Sequence, residues 1–555
     1  MVAKEDYDNI QGDIWPGLSK KYQVFYFFSI ENPALFKPVL KKLADEQITS
    51  STHAMAHRYT IQKLKAAEAE NKAEEQTKKK TRSTGGGGFF GILGDVVESG
   101  ASMANSGIDI VGSLANTALD VTIGVAKFPF EVFGHLVPKD AKDIPRSKGS
   151  KSHMGLAQVN ISFTHVGVNK LWNEDFMDDL YIKGMQQDMM SEGRDTEKNW
   201  RKEFLKDVEN STPSKVDGLV IVCGTKEEVQ DKVAYLSHNY LGDKQGCRHV
   251  ATLDGQERSG DQRGHEHFGY LDGISQPLLT GFDDEDLKAK GARKIPTRPG
   301  VIIFGHDGEM DNEPGMQHPE WARNGSIQVV RRIKQLVPEW NDYIVEQAEK
   351  LHFTPEQFGA RLMGRWKSGA PVELYPDSDE LFPKEGAAKF NDFDFDPKSQ
   401  LKCPFASHIR KTKPRIDVGN VDKFDIMRRG LPYGPDHDPK TEPHKTTQDR
   451  GLMFVCYQTS LNNGFSFIKN KWCNPDNFPN KKEKYTGGIL PGQDPVIGQT
   501  LPSTKQEDDT KLTFSITDGK GEHNQIVFPS FVEAQGGDYF FTPSLSLLRM
   551  MSGAN

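Results

Sequence analysis

Three short stretches of this 555-residue chain carry side chains that could do chemistry. The first, Gly264-His265-Glu266-His267-Phe268-Gly269-Tyr270-Leu271-Asp272-Gly273, sets two histidines around a glutamate and ends on an aspartate between apolar and small neighbours. Histidines at i and i+2 lack the i, i+4 spacing that places two imidazoles on one face of a zinc-binding helix. The glycines say more. They allow close backbone approach to a flat ligand and let Asp272 project from a tight loop. An isolated Asp-Gly would otherwise serve to cap a following helix. The second stretch, Cys403-Pro404-Phe405-Ala406-Ser407-His408-Ile409-Arg410-Lys411-Thr412-Lys413-Pro414-Arg415, places His408 between small or apolar residues and a cationic run. Such neighbours suit an imidazole facing a planar ligand with arginines for its carboxylates. A lone histidine there could equally be a hydrogen-bonded core residue. The third, Ile426-Met427-Arg428-Arg429-Gly430-Leu431-Pro432-Tyr433-Gly434, has the composition of a solvated turn, but its apolar flank allows one guanidinium to point inward.

Elements able to position these residues are legible around them. Residues 22–30, 158–163 and 218–223 have the β-branched and aromatic content of strands, and 35–48, 166–172 and 226–241 have helical patterning. The second half repeats the texture, with strands expected at 300–305, 451–459 and 537–543. Helix is expected over 327–351, broken near Pro338, and over 545–550. Strands alternating with helices predict an α+β architecture. Residues 61–150 interrupt it: a charged, alanine-rich stretch, then Gly85-Gly86-Gly87-Gly88, then a loosely helical apolar run. They read as a helical insertion packed on its own domain or on a neighbouring subunit, which makes a homo-oligomer conceivable. A membrane-surface or cargo contact is the other reading, and the polar face lacks the Lys/Arg richness usual for membranes.

Bulk composition narrows the function classes. A net charge of −8 argues against a nucleic-acid partner, and 36% hydrophobic residues with 32 phenylalanines supply a large core. The five cysteines form no C-x-x-C pair, so neither a disulfide framework nor a structural zinc site is expected. No run of about 18 apolar residues predicts a transmembrane helix. The acidic residues 1–15 lack a secretory leader's basic start, so a cytoplasmic location is expected, or secretion if a leader was removed.

The conjunction of motifs resembles one family. G-Y-L-D-G, then S-H-I-R-K-T-K-P-R, then R-R-G-L-P-Y-G, in this order, is similar to the dye-decolorizing peroxidases. So are N-I-Q-G-D-I at 9–14, G-R-W-K-S-G-A-P at 364–371, D-R-G-L-M-F-V-C-Y-Q at 449–458, P-G-Q-D-P-V-I-G-Q at 491–499 and G-G-D-Y-F-F-T-P-S at 536–544. The flavour is fungal. The resemblance implies two ferredoxin-like domains of the dimeric α+β barrel type. They are expected at 1–265, with the insertion, and at 266–555, where haem b binds, one per chain. It implies a peroxidase that reduces hydrogen peroxide and, through a ferryl intermediate, oxidises dyes, phenols and other bulky aromatic donors. A haem-handling protein with little turnover is the alternative.

Residue by residue, the resemblance makes His408 the axial iron ligand, Asp272 the acid–base and Arg428 its arginine, with Arg429 as the fallback. Arg415 resembles a propionate partner, and Asp494 the carboxylate behind the axial imidazole. Leu452 and Phe454 resemble an apolar roof, and His267 is grouped with the cofactor contacts. Tyr433 and Trp472 are candidate electron-transfer residues, Trp472 in a polar, turn-rich setting that suggests partial exposure. Lys413 departs from the family's pattern, which has Asn there. The chemistry is coherent. A carboxylate can move a proton between peroxide oxygens, and a guanidinium that is always charged can offset the charge on the leaving oxygen. Because the reference pKa of Asp is about 3.9 against about 6.5 for His, the base form survives at acidic pH.

Overall fold

Aromatic and β-branched side chains favour a pleated backbone, and Tyr22–Ile30, rich in both, forms strand β1, buried along its whole length. This computed structural model describes residues 3–18, 21–61, 157–172, 174, 178–191, 195–205, 216–284, 296–309, 318–383, 388–419, 421–500 and 511–553. The expected insertion therefore lies outside the described residues from 62 onward. After β1, Asn32 starts helix α1 (Pro33–Glu46) by accepting the N–H groups of Ala34 and Leu35. Strands β2 (Gln158–Phe163) and β3 (Gly218–Gly224), helix α2 (Lys226–Asn239) and strand β4 (Cys247–Gln256) follow. They pair antiparallel in the spatial order β4-β1-β3-β2. With one helix after the first strand and another after the third, this is a ferredoxin-like unit.

The second half repeats the arrangement. Strand β5 (Ser326–Gln335) leads into helices α3 (Val337–Lys350), α4 (Pro355–Met363) and α5 (His408–Thr412). Then come strands β6 (Met427–Arg428), β7 (Leu431–Tyr433) and β8 (Gly451–Gln458), the pair β9 (Leu512–Thr517) and β10 (His523–Phe528), strand β11 (Val532–Thr542) and helix α6 (Leu545–Met551). The order is β11-β5-β8-β6, with β7 also on β8. Phe541 of β11 stands opposite Phe163 of β2, so the two units share one sheet of nine strands. On α3 and α4, Trp340 and Phe358 pack with Phe514 and Phe528 from β9 and β10.

Two sequence expectations change. Residues 300–305 are not a strand: Pro299–Val301 is a 3-10 turn, and the Ile302 and Ile303 N–H groups both go to the Pro299 carbonyl. The apolar run is buried without being extended. Residues 327–351 are not one broken helix either. They divide into β5 and α3, and Pro338 lies in the first turn of α3, where its missing N–H has no intrahelical role.

The N-terminal motif joins the halves. Gln11 donates from Nε2 to the carbonyls of Ile161 at 2.9 Å and Pro543 at 2.7 Å. Tyr457 donates its hydroxyl to Asp13 at 2.6 Å and accepts from Gln328 Nε2 at 2.6 Å, and Ser162 donates to Gln328 Oε1 at 2.7 Å. All five of these side chains are buried. Among the described residues no helix is long and apolar enough to cross a membrane.

Deleting one member of such a chain leaves buried polar atoms without partners. Tyr457→Phe should cost about 1–3 kcal/mol of stability, read as a lower urea midpoint, while the cavity described below keeps its shape.

Candidate active site

Consecutive residues of a strand point to opposite faces, and that rule separates the two neighbouring arginines. The register Arg428↔Cys456 and Leu431↔Met453 runs without a break from β6 into β7. Arg428, Gly430, Leu452 and Phe454 thus share a face, together with Arg331 and Ile333 of β5, and all six line one cavity. Arg429 faces the other way. It is buried against the N-terminal segment and donates to the carbonyls of Asp13, Ile14 and Pro16. Of the two, Arg428 alone lines the cavity.

Asp272 meets Arg428 in the cavity: Nη1 donates to Asp272 Oδ1 at 2.6 Å, and Nη2 to the Ser275 carbonyl at 3.0 Å. Gly273, at φ +79°, turns the chain so that its own N–H donates to Asp272 Oδ1 at 2.6 Å. A side chain there would be strained. Behind this loop Glu266 accepts the N–H groups of Phe268 and Tyr270 at 2.8 and 2.9 Å and the Gln335 amide.

His408 opens the short helix α5, which abuts the end of α4 so closely that a Cβ on Gly364, at φ +88°, would strike Ile409. Its Nδ1 donates to Asp494 Oδ2 at 2.9 Å, while Asp494 Oδ1 accepts the N–H groups of Val496 and Ile497 at 2.8 and 2.9 Å. Burial disfavours the charged ring, but the charge and hydrogen bond of Asp494 outweigh it, so the His408 pKa lies above its ordinary value. Burial likewise opposes the Asp494 carboxylate, and His408 with the two N–H groups more than compensates, holding it below the usual range. Nδ1 is committed; Nε2 has no hydrogen-bond partner among the described residues, and His408 lines the cavity.

The cavity measures ≈ 420 Å³, within the usual range for small-molecule and cofactor sites. It suits an iron porphyrin. An imidazole faces it, Leu452, Phe454 and Ile333 give it an apolar wall, and its cationic side chains outnumber its carboxylates by six to four, as a dicarboxylate requires. The cations are Arg331, Arg365, Lys413, Arg415, Arg428 and Lys469.

Known proteins carry the same pattern. The family model described as "DyP dimeric alpha+beta barrel domain" matches residues 9–81 and 135–259, and "Dyp-type peroxidase, C-terminal" matches 279–490. Dye-decolorizing peroxidase msp1 of Mycetinis scorodonius is 34% identical over 415 residues, 71% of this chain and 76% of the relative. This chain belongs to the dye-decolorizing peroxidase family. The dye-decolorizing peroxidase of Exidia glandulosa is also 34% identical, over 72% of this chain and 76% of its own length. Among solved structures, an ancestral D-type dye-decolorizing peroxidase superposes with a TM-score of 0.71 at 31% identity, covering 98% of each chain. A dye-decolorizing peroxidase bound to 2,6-dimethoxyphenol also gives 0.71, at 29% identity over 98% of this chain and 99% of that one. The chain is thus a haem peroxidase. The family match breaks over 82–134, inside the stretch expected to be inserted.

The remaining sequence candidates of this dye-decolorizing peroxidase fall unevenly. Arg415 lines the cavity, donates to the carbonyls of Asn391 and Phe393 and lies 3.9 Å from the centre of the Phe393 ring. Lys413, the departure from the family's pattern, is held by Asp422 at 3.3 Å and by Asp425. His267 is not at the cavity. It is buried, with Nε2 on the Tyr433 carbonyl at 2.8 Å. His265 likewise engages a carbonyl, that of Arg263 at 3.0 Å.

Tyr433 shares the strand face of Arg429, away from the cavity. It is buried, its hydroxyl has two acceptors in reach of its one hydrogen, Asp449 at 3.3 Å and Gln535 at 3.2 Å, and the Arg332 guanidinium lies 3.8 Å from its ring centre. Trp472 is not partly exposed but 3% exposed. It sits in a π-helix, Ile468–Cys473, where Asn470 bonds back to Ser466 and the capping Asn474 bonds back to Asn470. That internal ladder is why a polar sequence is buried. Trp472 stacks on Phe478 at 5.4 Å and meets the cavity-lining Phe424 edge-on at 4.9 Å.

Sequence reasoning missed Lys469 and Arg331, two buried cations at the cavity. Burial foremost, with Arg331 nearby, pushes the Lys469 ammonium down to about 7. Arg331 had only the signal of position, alternating with Ile333 in a strand that was expected to be helix, and Lys469 had none.

Burial holds the His267 ring pKa down to about 4 from 6.5, despite the accepting Tyr433 carbonyl. The unfolded chain takes up that proton first, so stability should fall as pH drops from 6.5 to about 4, by up to about 3 kcal/mol. His267→Gln, able to keep the donor to the carbonyl, should remove that part of the slope; an unchanged pH–stability curve would contradict it.

Proposed function

We propose that this dye-decolorizing peroxidase binds one haem b per chain and uses hydrogen peroxide to oxidise phenols, dyes and other bulky aromatic donors. The observation that carries the reading is the Asp272–Arg428 pair in the same cavity as the Asp494-backed imidazole of His408. Haem would be held by His408 Nε2, with Arg415 as a propionate partner and Leu452 and Phe454 as apolar contacts, and when bound it would supply the iron for peroxide cleavage.

The chain's own groups divide the remaining work. Asp272 accepts the proton from one peroxide oxygen and returns it to the other, so that water leaves. Arg428 stays charged and offsets the negative charge developing on the departing oxygen. Asp494 holds His408 in the tautomer with its proton on Nδ1 and increases the donor strength of Nε2. Leu452 and Phe454 keep large donors out, so their electrons must arrive through side chains. Phe424, Trp472 and Phe478 form a run of rings leading from the cavity wall. Tyr433 is a second candidate, with Asp449 beside its hydroxyl to take the phenol proton. We also read the boundary between the two units near residue 265 and the 61–150 segment as the place for subunit contacts.

Stopped-flow absorption after peroxide tests the centre. Asp272→Asn should slow the peroxide-dependent step by about 10²–10⁴-fold with haem retained. Arg428→Leu should slow it too, and Arg429→Leu should cost stability but little rate per haem. A crippled Arg429→Leu beside a silent Arg428→Leu would reassign the arginine.

For bulky donors, Trp472→Phe and Tyr433→Phe should each lower turnover of anthraquinone dyes far more than turnover of small phenols. Equal loss on both substrate classes would point to damaged packing instead.

A further inference from the structure

We propose that Gln276 is a positioning residue of the peroxide-cleaving pair, acting through the backbone of Arg428. The inference rests on the acid–base role proposed above for Asp272 and Arg428. Strand β6 is only two residues long and ends the sheet, paired with β8 on one side. Backbone groups on the outer side of such an edge have no strand to bond. Gln276 supplies the missing partner: the Arg428 N–H donates to its Oε1 at 3.1 Å, and its Nε2 donates to the Arg428 carbonyl at 3.1 Å. One carboxamide thus stands where the peptide of another strand would. It makes no other hydrogen bond among the described residues, and it lines the cavity.

The same loop holds the other end of Arg428. Nη1 reaches Asp272, Nη2 reaches the Ser275 carbonyl, and Asp272 is oriented by the Gly273 N–H. Acid–base group, guanidinium and guanidinium-bearing backbone are therefore all fastened to residues 272–276. Among the described residues, the one further side-chain bond to the Arg428 backbone is a 3.4 Å contact from Arg429 Nη1 to its carbonyl. A guanidinium sits at the end of several rotatable bonds, so its placement within about 0.5 Å needs its backbone fixed as well as its tip. Freed from Gln276, Arg428 could still pair with Asp272, but from a drifting strand edge.

The test uses the haem-loaded protein and separates the peroxide-dependent step from the reductant-dependent step. Gln276→Leu should slow the first by about 10- to 100-fold while haem content and the second step stay unchanged. Amide hydrogen exchange of the peptide carrying Arg428 should rise. Gln276→Glu offers a signature that a merely structural role would not show. Its carboxylate cannot donate to the Arg428 carbonyl, but the protonated acid can, so its peroxide rate relative to the parent should recover as pH falls. In a double-mutant cycle, Gln276→Leu with Arg428→Leu should be no slower than Arg428→Leu alone. The proposal is overturned by a Gln276→Leu variant at parental rate, by additive losses in the cycle, or by loss of haem or equal slowing of both steps. Silent Asp272→Asn and Arg428→Leu variants would instead remove the acid–base reading on which it rests, whatever Gln276 does.

Discussion

The two-residue period of a β-strand is the constraint on which the rest of the site depends. Arg428 and Arg429 are chemically identical neighbours, and the unbroken register against β8 sends one into the cavity and the other into the N-terminal segment. The same alternation delivers Leu452 and Phe454 to the cavity wall and turns Tyr433 away from it. A slip by one residue would exchange every one of these side chains between faces. Gly451 resists such a slip, because a Cβ there would run into the Ile333 carbonyl of the adjacent strand.

Burial sets the second requirement. A charge removed from water must be paired and hydrogen-bonded, and breaking such a pair costs about 3–5 kcal/mol. Around the cavity this condition is met repeatedly: Arg331 with Asp195 at 2.7 Å, Arg410 with Asp417 at 2.7 Å, and His408 with Asp494. Arg410 and Lys411, part of the cationic run beyond His408, are thus mostly scaffold. Arg410 fastens Asp417 and the carbonyl of Cys403, and Lys411 is spent on the carbonyls of Pro475 and Phe478. Charge in this segment builds the wall that holds the imidazole still.

Much of this was legible in the sequence, for physical reasons that also explain the failures. β1 and β3 are buried along their lengths, so their apolar runs announce themselves. β5 carries two arginines and a lysine, and its helical appearance came from reading it together with α3, whose periodicity is strong. Asp272 and His408 stood out because glycines and small residues surround them. Gln276, Lys469 and Arg331 did not, since a side chain that bonds a distant backbone or faces a cavity leaves no local pattern. Trp472 was misjudged because asparagines usually mark surface turns, and here two of them are buried and bond one another at the end of a π-helix.

The clasp of Arg429 on Ile14 spans 415 residues of sequence, and that span has a consequence for biosynthesis. Residues 13–16 leave the ribosome long before the arginine that closes over them. At roughly 5–20 residues per second the interval is roughly 20–80 s. Through that time the first ferredoxin-like unit can pair its own strands and Arg58 can reach the Pro16 carbonyl, but the carbonyls of Asp13 and Ile14 lack the Arg429 guanidinium. The same strand brings Arg429 to that segment and Arg428 to the cavity. The two neighbouring guanidiniums therefore emerge together, ahead of the Asp494 carboxylate that His408 meets and the Pro543 carbonyl that Gln11 meets.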